Sequence, residues 1–589
     1  MVCGNNRMFN DLCDNDCYRT SNTGSIYENE DTTTMKKDFN KLAIISASVL
    51  SIFLACGWML GTGNAFLMDD YSTITKGMFS LPSTLFTVFP TQRYNDRPVG
   101  SIFVGLLQKM FADNYQGYHL IFVLVHIVNI LLVYRIAYMI LRKEYANTAR
   151  YGAAISAVIF GAYPQSIMAV QWVSAVFDLL AALFTLLTLY FFLKKNSDIE
   201  YKAFYSICTV ACYIVALRCK EMPLLLPVAL YLYEMVLENK KKVPTKATGF
   251  LLCWMIIYLW RLFSYPAVED STYHQAYGMG LVANLAKYIN LYFDLSTNTM
   301  NFIGYRLAAV PGVILLLIAI GVGIYKIRKK QFSILVNFIT VGLLLAPVLT
   351  MDNMQHKLYL YIPSAFLGII AGQITCIILM RYKVNMSVFS VIAILLIGLC
   401  NYMPGPIQFR NWWCTMTQQD LLQLEQVEGA IGTLPQNCDI YVRRADQEYN
   451  VIWPYGPGNS IRFLYRRNDI NCNIVDEFPD MPTAPYIFLD YENKQFFLDK
   501  RDDNYDLKIQ QVSCNRIDDK LQIGVVCEKN YPGSQIVING EAFPTVEGES
   551  FVSTEISDNE FNNNQALYIT VRVDNLGIES APYILNIDS

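Results

Sequence analysis

Apolar runs long enough to cross about 30 Å of hydrocarbon recur along most of this chain, and no soluble fold accommodates so many of them. We mark about eleven, beginning near Lys41, Gly117, Tyr151, Trp172, Phe204, Met222, Ala247, Leu307, Gln331, Leu358 and Asn385. With 53% hydrophobic and only 16% charged residues over 589 positions, the chain is too apolar for an ordinary soluble enzyme. The expected architecture is a mainly α polytopic membrane bundle, with the lipid bilayer as its first partner. The formal net charge of -4 hides a segregation of bases into short loops and acids into the tail and last third, so it carries no sign of a nucleic-acid partner.

Every second loop is basic. The clusters are Lys36, Lys37 and Lys41; Arg142, Lys143 and Arg150; Lys194, Lys195 and Lys202; Lys240, Lys241, Lys242 and Lys246; Lys326, Arg328, Lys329 and Lys330; and Arg381 with Lys383. Cytoplasmic loops retain Lys and Arg, so this alternation predicts a cytoplasmic N-terminus, an odd span count and a C-terminal third on the outer face. The polar tail 1–40 is expected to be disordered, and no small-residue cleavage pattern follows the first span, which therefore reads as an uncleaved anchor. Cys3, Cys13 and Cys17 have no histidine or fourth thiol nearby, so reduced surface cysteines are the expected reading there.

After the transmembrane part, 41–407, the pattern changes. Residues 408–505 are expected to form a small extracytoplasmic α/β domain, with a helix over Asn411 to Ile431 and strands at 438–442, 461–465 and 486–489. Residues 506–589 alternate with strand period at 507–512, 521–526, 535–538, 551–554, 566–573 and 583–587, which predicts an immunoglobulin-like β-sandwich. An outer location permits disulfides, and Cys514 with Cys527 and Cys438 with Cys472 are the candidate pairs. Counting Cys414, the five outer cysteines are odd in number, so one stays free or the pairing differs.

The chemistry lies at span ends. Asp69 and Asp70 follow the first span, where a partly desolvated carboxylate can take a proton from a hydroxyl that attacks an activated carbon. Adjacent residues point in different directions, so one acid suits the base and the other suits a helix cap or a cation. The competing reading makes both merely solvated helix-end residues. Arg218, Lys220 and Glu221 sit at another boundary, where charge is costly unless paired or used. Lys220 either faces a lipid-linked phosphate or forms an ion pair with Glu221. His356 and Lys357 stand before Leu358 to Ser364, an element that includes Tyr361, and supply a second candidate cation for the same phosphate. His119 and His126, seven residues apart on one helix face, read as a packed polar seam rather than a metal site. Arg93, Asp96 and Arg97 share the loop that follows the two acids, where a surface charge cluster is the plain alternative.

The order of these elements carries a resemblance. Asp69-Asp70 after span one, Asn95-Asp96-Arg97-Pro98-Val99 before span two, Tyr118-His119 and His126-Ile127-Val128-Asn129 within it, Ala162-Tyr163-Pro164, Gln171-Trp172-Val173, Phe177-Asp178-Leu179-Leu180, Cys219-Lys220-Glu221 and Leu358 to Ser364 together resemble the C-type polytopic membrane glycosyltransferases. The likeness leans towards the protein O-mannosyltransferase-like branch, with the tetratricopeptide-bearing transmembrane mannosyltransferases and their bacterial relatives. It covers about Lys41 to Pro404. It implies a hexosyltransferase of the cell envelope that moves a sugar from a polyprenyl- or dolichyl-phosphate carrier to a protein, lipid or glycan acceptor, with inversion. By position it makes Asp69 or Asp70 the base, with Asp69 preferred, and sets Arg97, Lys220, His356 and Lys357 on the donor phosphate. Arg93, Asp96, His119, Arg218, Glu221 and Tyr361 would support them. The tetratricopeptide repeats are absent, and His356-Lys357 stands where an arginine is often found. No cofactor is expected: two adjacent carboxylates suit Mg²⁺ or Mn²⁺, but the lysines can serve the same phosphate.

A non-catalytic transporter of lipid-linked glycans, or an assembly factor, would need similar cations. Such transporters tend to show matched half-repeats, and none is visible in this sequence. A third reading, a membrane-anchored adhesion or sensor protein, leaves the many spans without a purpose. A bacterial plasma membrane is the expected location.

Overall fold

In the computed structural model the described residues run from 27 to 586, apart from short breaks and the stretch 296–332, of which Leu317 and Gly321 alone are described. The apolar run beginning at Leu307, the tail residues Cys3, Cys13 and Cys17, and the bases Lys240 to Lys242, Lys326 to Lys330 and Lys383 lie outside the described residues.

Among the described residues six helices are long and apolar enough to cross a membrane, and two bent pairs raise that to eight. The six are the apolar part of α1 (Tyr27–Cys56), α4 (Tyr115–Leu141), α7 (Val176–Ser197), α8 (Lys202–Cys219), α10 (Lys246–Ser264) and α13 (Tyr361–Tyr382). The bent pairs are α5 (Ala149–Ala162) with α6 (Pro164–Gln171), at 53°, and α14 (Met386–Leu399) with α15 (Pro404–Ile431), at 49°. A proline opens the second helix of each pair, where its missing N–H costs no helical bond while its ring prevents the preceding helix from running on. Between these lie α2 (Asp69–Phe79), α3 (Pro98–Phe111), α9 (Leu226–Leu237), α11 (Met279–Phe293) and α12 (Ser333–Leu349). Of the eleven expected runs, the one from Leu307 lies outside the described residues, and α9 and α12 are helices shorter than this test requires. Helix α1 begins at Tyr27, so the end of the expected tail already continues the first span.

Small residues allow close helix contacts. A Cβ on Gly372 of α13 would lie 2.4 Å from the Gly152 carbonyl of α5, and one on Gly368 would lie 2.6 Å from that of Ser156. Apolar solvent gives helices no reason to associate, so close backbone approach of this kind is what holds them.

The described C-terminal part is built on β-sheets. A four-stranded sheet, in the order β2-β1-β3-β4, holds β1 (Asp439–Arg443) parallel to β2 (Asn471–Val475) and β3 (Tyr486–Glu492), with β4 (Gln495–Leu498) antiparallel at its edge. Residues 461–465 are not the strand their alternation predicted but part of a two-turn helix, α16 (Asn459–Tyr465). Its Phe463 packs edge-on against Phe66 and Tyr71 at 5.4 Å from each, so a tertiary contact overrides the local pattern. Beyond it, two antiparallel sheets enclose a core of Val512, Ile523, Val525, Ile536, Ile538, Ile569 and Val571. Cys414, Cys438, Cys472, Cys514 and Cys527 carry free thiols, which corrects both candidate disulfides. In the β5 (Ile509–Ile517) and β6 (Lys520–Cys527) ladder Cys514 faces Ile523 while Cys527 faces Ile509, so those two sulfurs stand at different registers.

Candidate functional site

The two acids open α2 and are treated differently by the fold. Asp70 is fully buried: one carboxylate oxygen accepts from the Leu67 amide at 3.0 Å and the other from the Ser174 amide at 2.8 Å. It therefore caps its own helix and ties it to the short turn that starts α7. Asp69 keeps an oxygen, Oδ1, that is buried and has no hydrogen-bond partner among the described residues. Burial pushes the Asp69 carboxyl up to about 6, with the Lys76 ammonium pulling the other way. Burial raises Asp70 to about 8 against the pull of its two amide donors.

The backbone just ahead of the acids is strained. Met68 has φ +48°, in the left-handed region that a long side chain rarely adopts, and its amide donates to the buried Asp420 at 3.1 Å. A conformation of this kind costs on the order of 1 kcal/mol and persists only where surrounding contacts impose it. Here Asp420, from α15, holds the amide of the residue just ahead of Asp69.

The cations converge on the same end of α7, but most arrive neutralised. Lys220 is bonded to Asp178, one turn into α7, and its ammonium sits 4.8 Å from the Tyr359 ring centroid. Arg97 clamps Glu221 through two nitrogens, at 3.0 and 3.4 Å, and lies over the Phe177 ring. The expected Lys220–Glu221 pair is therefore replaced by two crossed pairs. Gly100 permits the close packing beneath, because a Cβ there would meet Phe177 at 2.3 Å. Arg218 holds Asp96 with two bonds of 3.0 Å, and Asp96 also accepts from the Thr91 amide at 2.6 Å. Asp96 and Arg97 thus turn inward rather than forming a surface cluster. Arg93 stays at the rim, 3.4 Å from the Tyr265 carbonyl and over the Phe263 ring.

His356 is a cap, not a second cation. Its Nδ1 accepts from the Leu358 amide at 3.3 Å, and burial, with the charges of Lys220 and Lys357, pushes its imidazole down to about 3. Lys357 is 8% exposed and makes no ion pair among the described residues; Asp294 is the acid whose charge reaches it. The histidine seam holds for one of its two members. The His126 imidazole shares a hydrogen bond of 2.7 Å with the Tyr361 hydroxyl and one of 3.1 Å with the Gly161 carbonyl, and Asn129 donates to the same hydroxyl. His119 is also buried, but neither ring nitrogen has a partner among the described residues, and it packs on Tyr115 at 4.0 Å.

Four residues of this region were not singled out for a role from the sequence. Ser174 gives no pattern, since its part is a backbone amide. Asp178 is an acid inside an apolar run, a signal that marks cost and partner together. Asp420 lies on a polar helix, where an acid is unremarkable. Arg410, on the first turns of the same helix, bonds the Leu54 carbonyl at 3.1 Å and lies 5.4 Å from the Trp58 ring centroid. Among the described residues no three His, Cys, Asp or Glu side chains gather in a way that would hold a metal ion.

No family model matches the chain, and no curated protein matches it. Among solved structures, ArnT from Cupriavidus metallidurans bound to undecaprenyl phosphate is similar over 77% of this chain and 93% of that one, at 12% identity and a TM-score of 0.41. A likeness of that size carries no part of the functional reading that follows.

Proposed function

We propose that the chain is a membrane glycosyltransferase of the C type, which transfers a sugar from a polyprenyl- or dolichyl-phosphate carrier to an acceptor hydroxyl on the outer face of the membrane. One observation carries the reading: Asp69 presents a buried, unpartnered carboxylate oxygen at the end of the bundle where Asp178, Lys220, Arg97 and His356 also meet. The alternation of basic loops in the sequence supports an outer position for that end. The shared order of sequence elements supports the same class.

The step is a single displacement. The acceptor oxygen bonds to the anomeric carbon as the bond from that carbon to the carrier's phosphate oxygen breaks; Asp69 takes the acceptor proton and the phosphate leaves with the electron pair. Asp69 suits this task because burial has raised it towards the operating range, and a base close to that range transfers protons most effectively. Asp70 positions Asp69, since its amide bonds fix the start of α2 against α7. Cations at the leaving oxygen stabilise the charge that develops there.

The test is turnover of purified protein in liposomes with a polyprenyl-phosphate sugar as donor. Asp69→Asn should lower kcat by about 10²- to 10⁴-fold with donor binding kept. An Asp69→Asn protein that transfers sugar at the wild-type rate, or a wild type that moves intact donor between leaflets without cleaving it, would refute the assignment.

A further inference from the structure

Asp69 stands in a stretch that residues far along the chain hold from two sides. The rings of Phe66 and Tyr71 bracket the two acids in sequence, and Phe463 of α16 meets both edge-on, with centroids at 5.4 Å. Phe66 also stands edge-on to Tyr115 and Tyr118 of α4, at 5.4 and 5.2 Å, and the Tyr71 hydroxyl donates back to the Phe66 carbonyl at 3.4 Å. Phe463 is thus one wall of an aromatic cluster whose other members belong to the bundle, and rings in this geometry attract beyond the area they bury. Asn459, at the start of the same helix, accepts from the Thr75 hydroxyl of α2 at 3.3 Å. From another element, Asp420 of α15 accepts from the Met68 amide at 3.1 Å, where Met68 has φ +48°.

Both contacts lead to one support. Arg462 of α16 donates to the Ile470 carbonyl at 2.8 Å, directly before β2. Gly458, just ahead of α16, has φ +84° and lies so near β2 that a Cβ on it would meet that of Cys472 at 2.5 Å. Three residues after Asp420, Gln423 accepts from the Val451 amide at 2.7 Å and donates to the Tyr491 hydroxyl of β3 at 3.2 Å. Helices α15 and α16 are therefore both fastened to the four-stranded sheet, and the acids lie within the stretch that they hold. We propose that Phe463 and Asp420 are positioning residues for Asp69, through which the four-stranded C-terminal sheet fixes the start of α2 and keeps water from the carboxylate. The inference rests on the reading of Asp69 as the base, and it gives the segment after the bundle a part in the chemistry. The charges beside Asp69 come from Lys76 and Asp70 on its own helix and from Asp420 on α15. Helix α16 brings an apolar ring, since its Arg462 turns back to the sheet and its neighbour Arg466 pairs with Asp113 at 2.8 Å.

The test reads three quantities on the full chain: kcat and donor KM in liposomes with a polyprenyl-phosphate sugar, the pH of the acid limb of activity, and the melting shift that Asp69→Asn brings at pH 7 in detergent. Phe463→Ala should lower kcat about 10- to 100-fold with donor KM within about threefold, the scale of a reacting group displaced by about an ångström. The limb should move below 6, towards the ordinary aspartate range, as water reaches the carboxylate. In the same background the melting gain from Asp69→Asn should fall to about half its wild-type value or less, because a hydrated carboxylate costs the fold little. Phe463→Leu should restore most of all three. Asp420→Leu, which leaves the Met68 amide without this acceptor, should act as Phe463→Ala does, whereas Asp420→Asn, which keeps an oxygen to accept it, should not. Arg466→Gln, which breaks the exposed pair with Asp113, should change none of the three. A Phe463 that serves packing alone would lower the melting temperature while the limb stays near 6, kcat per folded molecule is unchanged and the two melting shifts add. That result in Phe463→Ala, or in Asp420→Leu where Phe463→Ala does not fold, would overturn the proposal. The functional reading fails separately: if Asp69→Asn transfers sugar at the wild-type rate while the melting shifts of Phe463→Ala and Asp69→Asn remain coupled, the positioning stands and the base is lost.

Discussion

A base that the fold keeps partly desolvated should destabilise the protein that carries it, and Asp69→Asn tests this without any substrate. Ordinary aspartate titrates near 3.8 and burial raises Asp69 to about 6, so ionising it at pH 7 costs the folded state at most about 3 kcal/mol. The sign follows from the direction of the shift. A carboxyl whose pKa is raised by folding holds its proton more tightly when folded, so its contribution is favourable below about pH 4 and is lost as pH rises through 6. Asparagine has the same shape and no charge to desolvate. Thermal unfolding in detergent, followed from pH 4 to pH 8, should therefore show the variant melting at about the wild-type temperature at the acid end and several degrees above it at pH 7. Gained stability with lost turnover is what an acid retained for chemistry should show. Equal or lower stability of Asp69→Asn across the whole pH range would refute the claim that this carboxylate is held against its own desolvation.

Asp70→Asn, compared at about pH 4 where burial keeps the Asp70 carboxyl neutral and no charge is relieved, should lower the melting temperature by the equivalent of about 1–3 kcal/mol, because an amide nitrogen cannot accept from Leu67 or Ser174 and one buried N–H loses its acceptor. Lys220→Met leaves Asp178 as a buried unpaired charge and should cost about 3–5 kcal/mol, most of it recovered when Asp178→Leu is added; thermal unfolding of the two singles and the double separates pair from charge. Tyr361→Phe removes the hydroxyl shared by His126 and Asn129 and should lower stability by about 1–3 kcal/mol while the KM for donor stays the same, as donor titrations would show. Activity against pH should rise through a limb near 6 as Asp69 loses its proton, and that limb should be missing from the residual activity of Asp69→Asn.

Much of the bundle was legible because an unbroken apolar stretch of about eighteen or more residues is what a helix surrounded by hydrocarbon requires. The apolar runs overlap helices wherever their residues are described, but apolar length alone does not separate a crossing helix from a short one such as α9. Strands near the C-terminus could be read from strict alternation, as at Ala566–Val573. Residues 461–465 misled because Ile461 and Phe463 alternate in a helix only two turns long, too short for the helical period to show. The candidate site was legible as an order of charged residues, but not as a set of partners. Nothing local states that Lys220 bonds Asp178 while its neighbour Glu221 bonds Arg97, because those choices are made by packing between helices 42 and 124 residues apart. Met68 was invisible for the same reason: its positive φ is imposed by Asp420, 352 residues further on.

The central claim is spatial, and one map tests it most directly. A density map of the protein in lipid nanodiscs with a bound polyprenyl phosphate should place the phosphorus atom at the end of α7 that carries Ser174, with the acids of α2 at that same end. A phosphate found instead at the opposite end of α7, where Lys195 bonds Glu234 at 3.1 Å, would contradict the account.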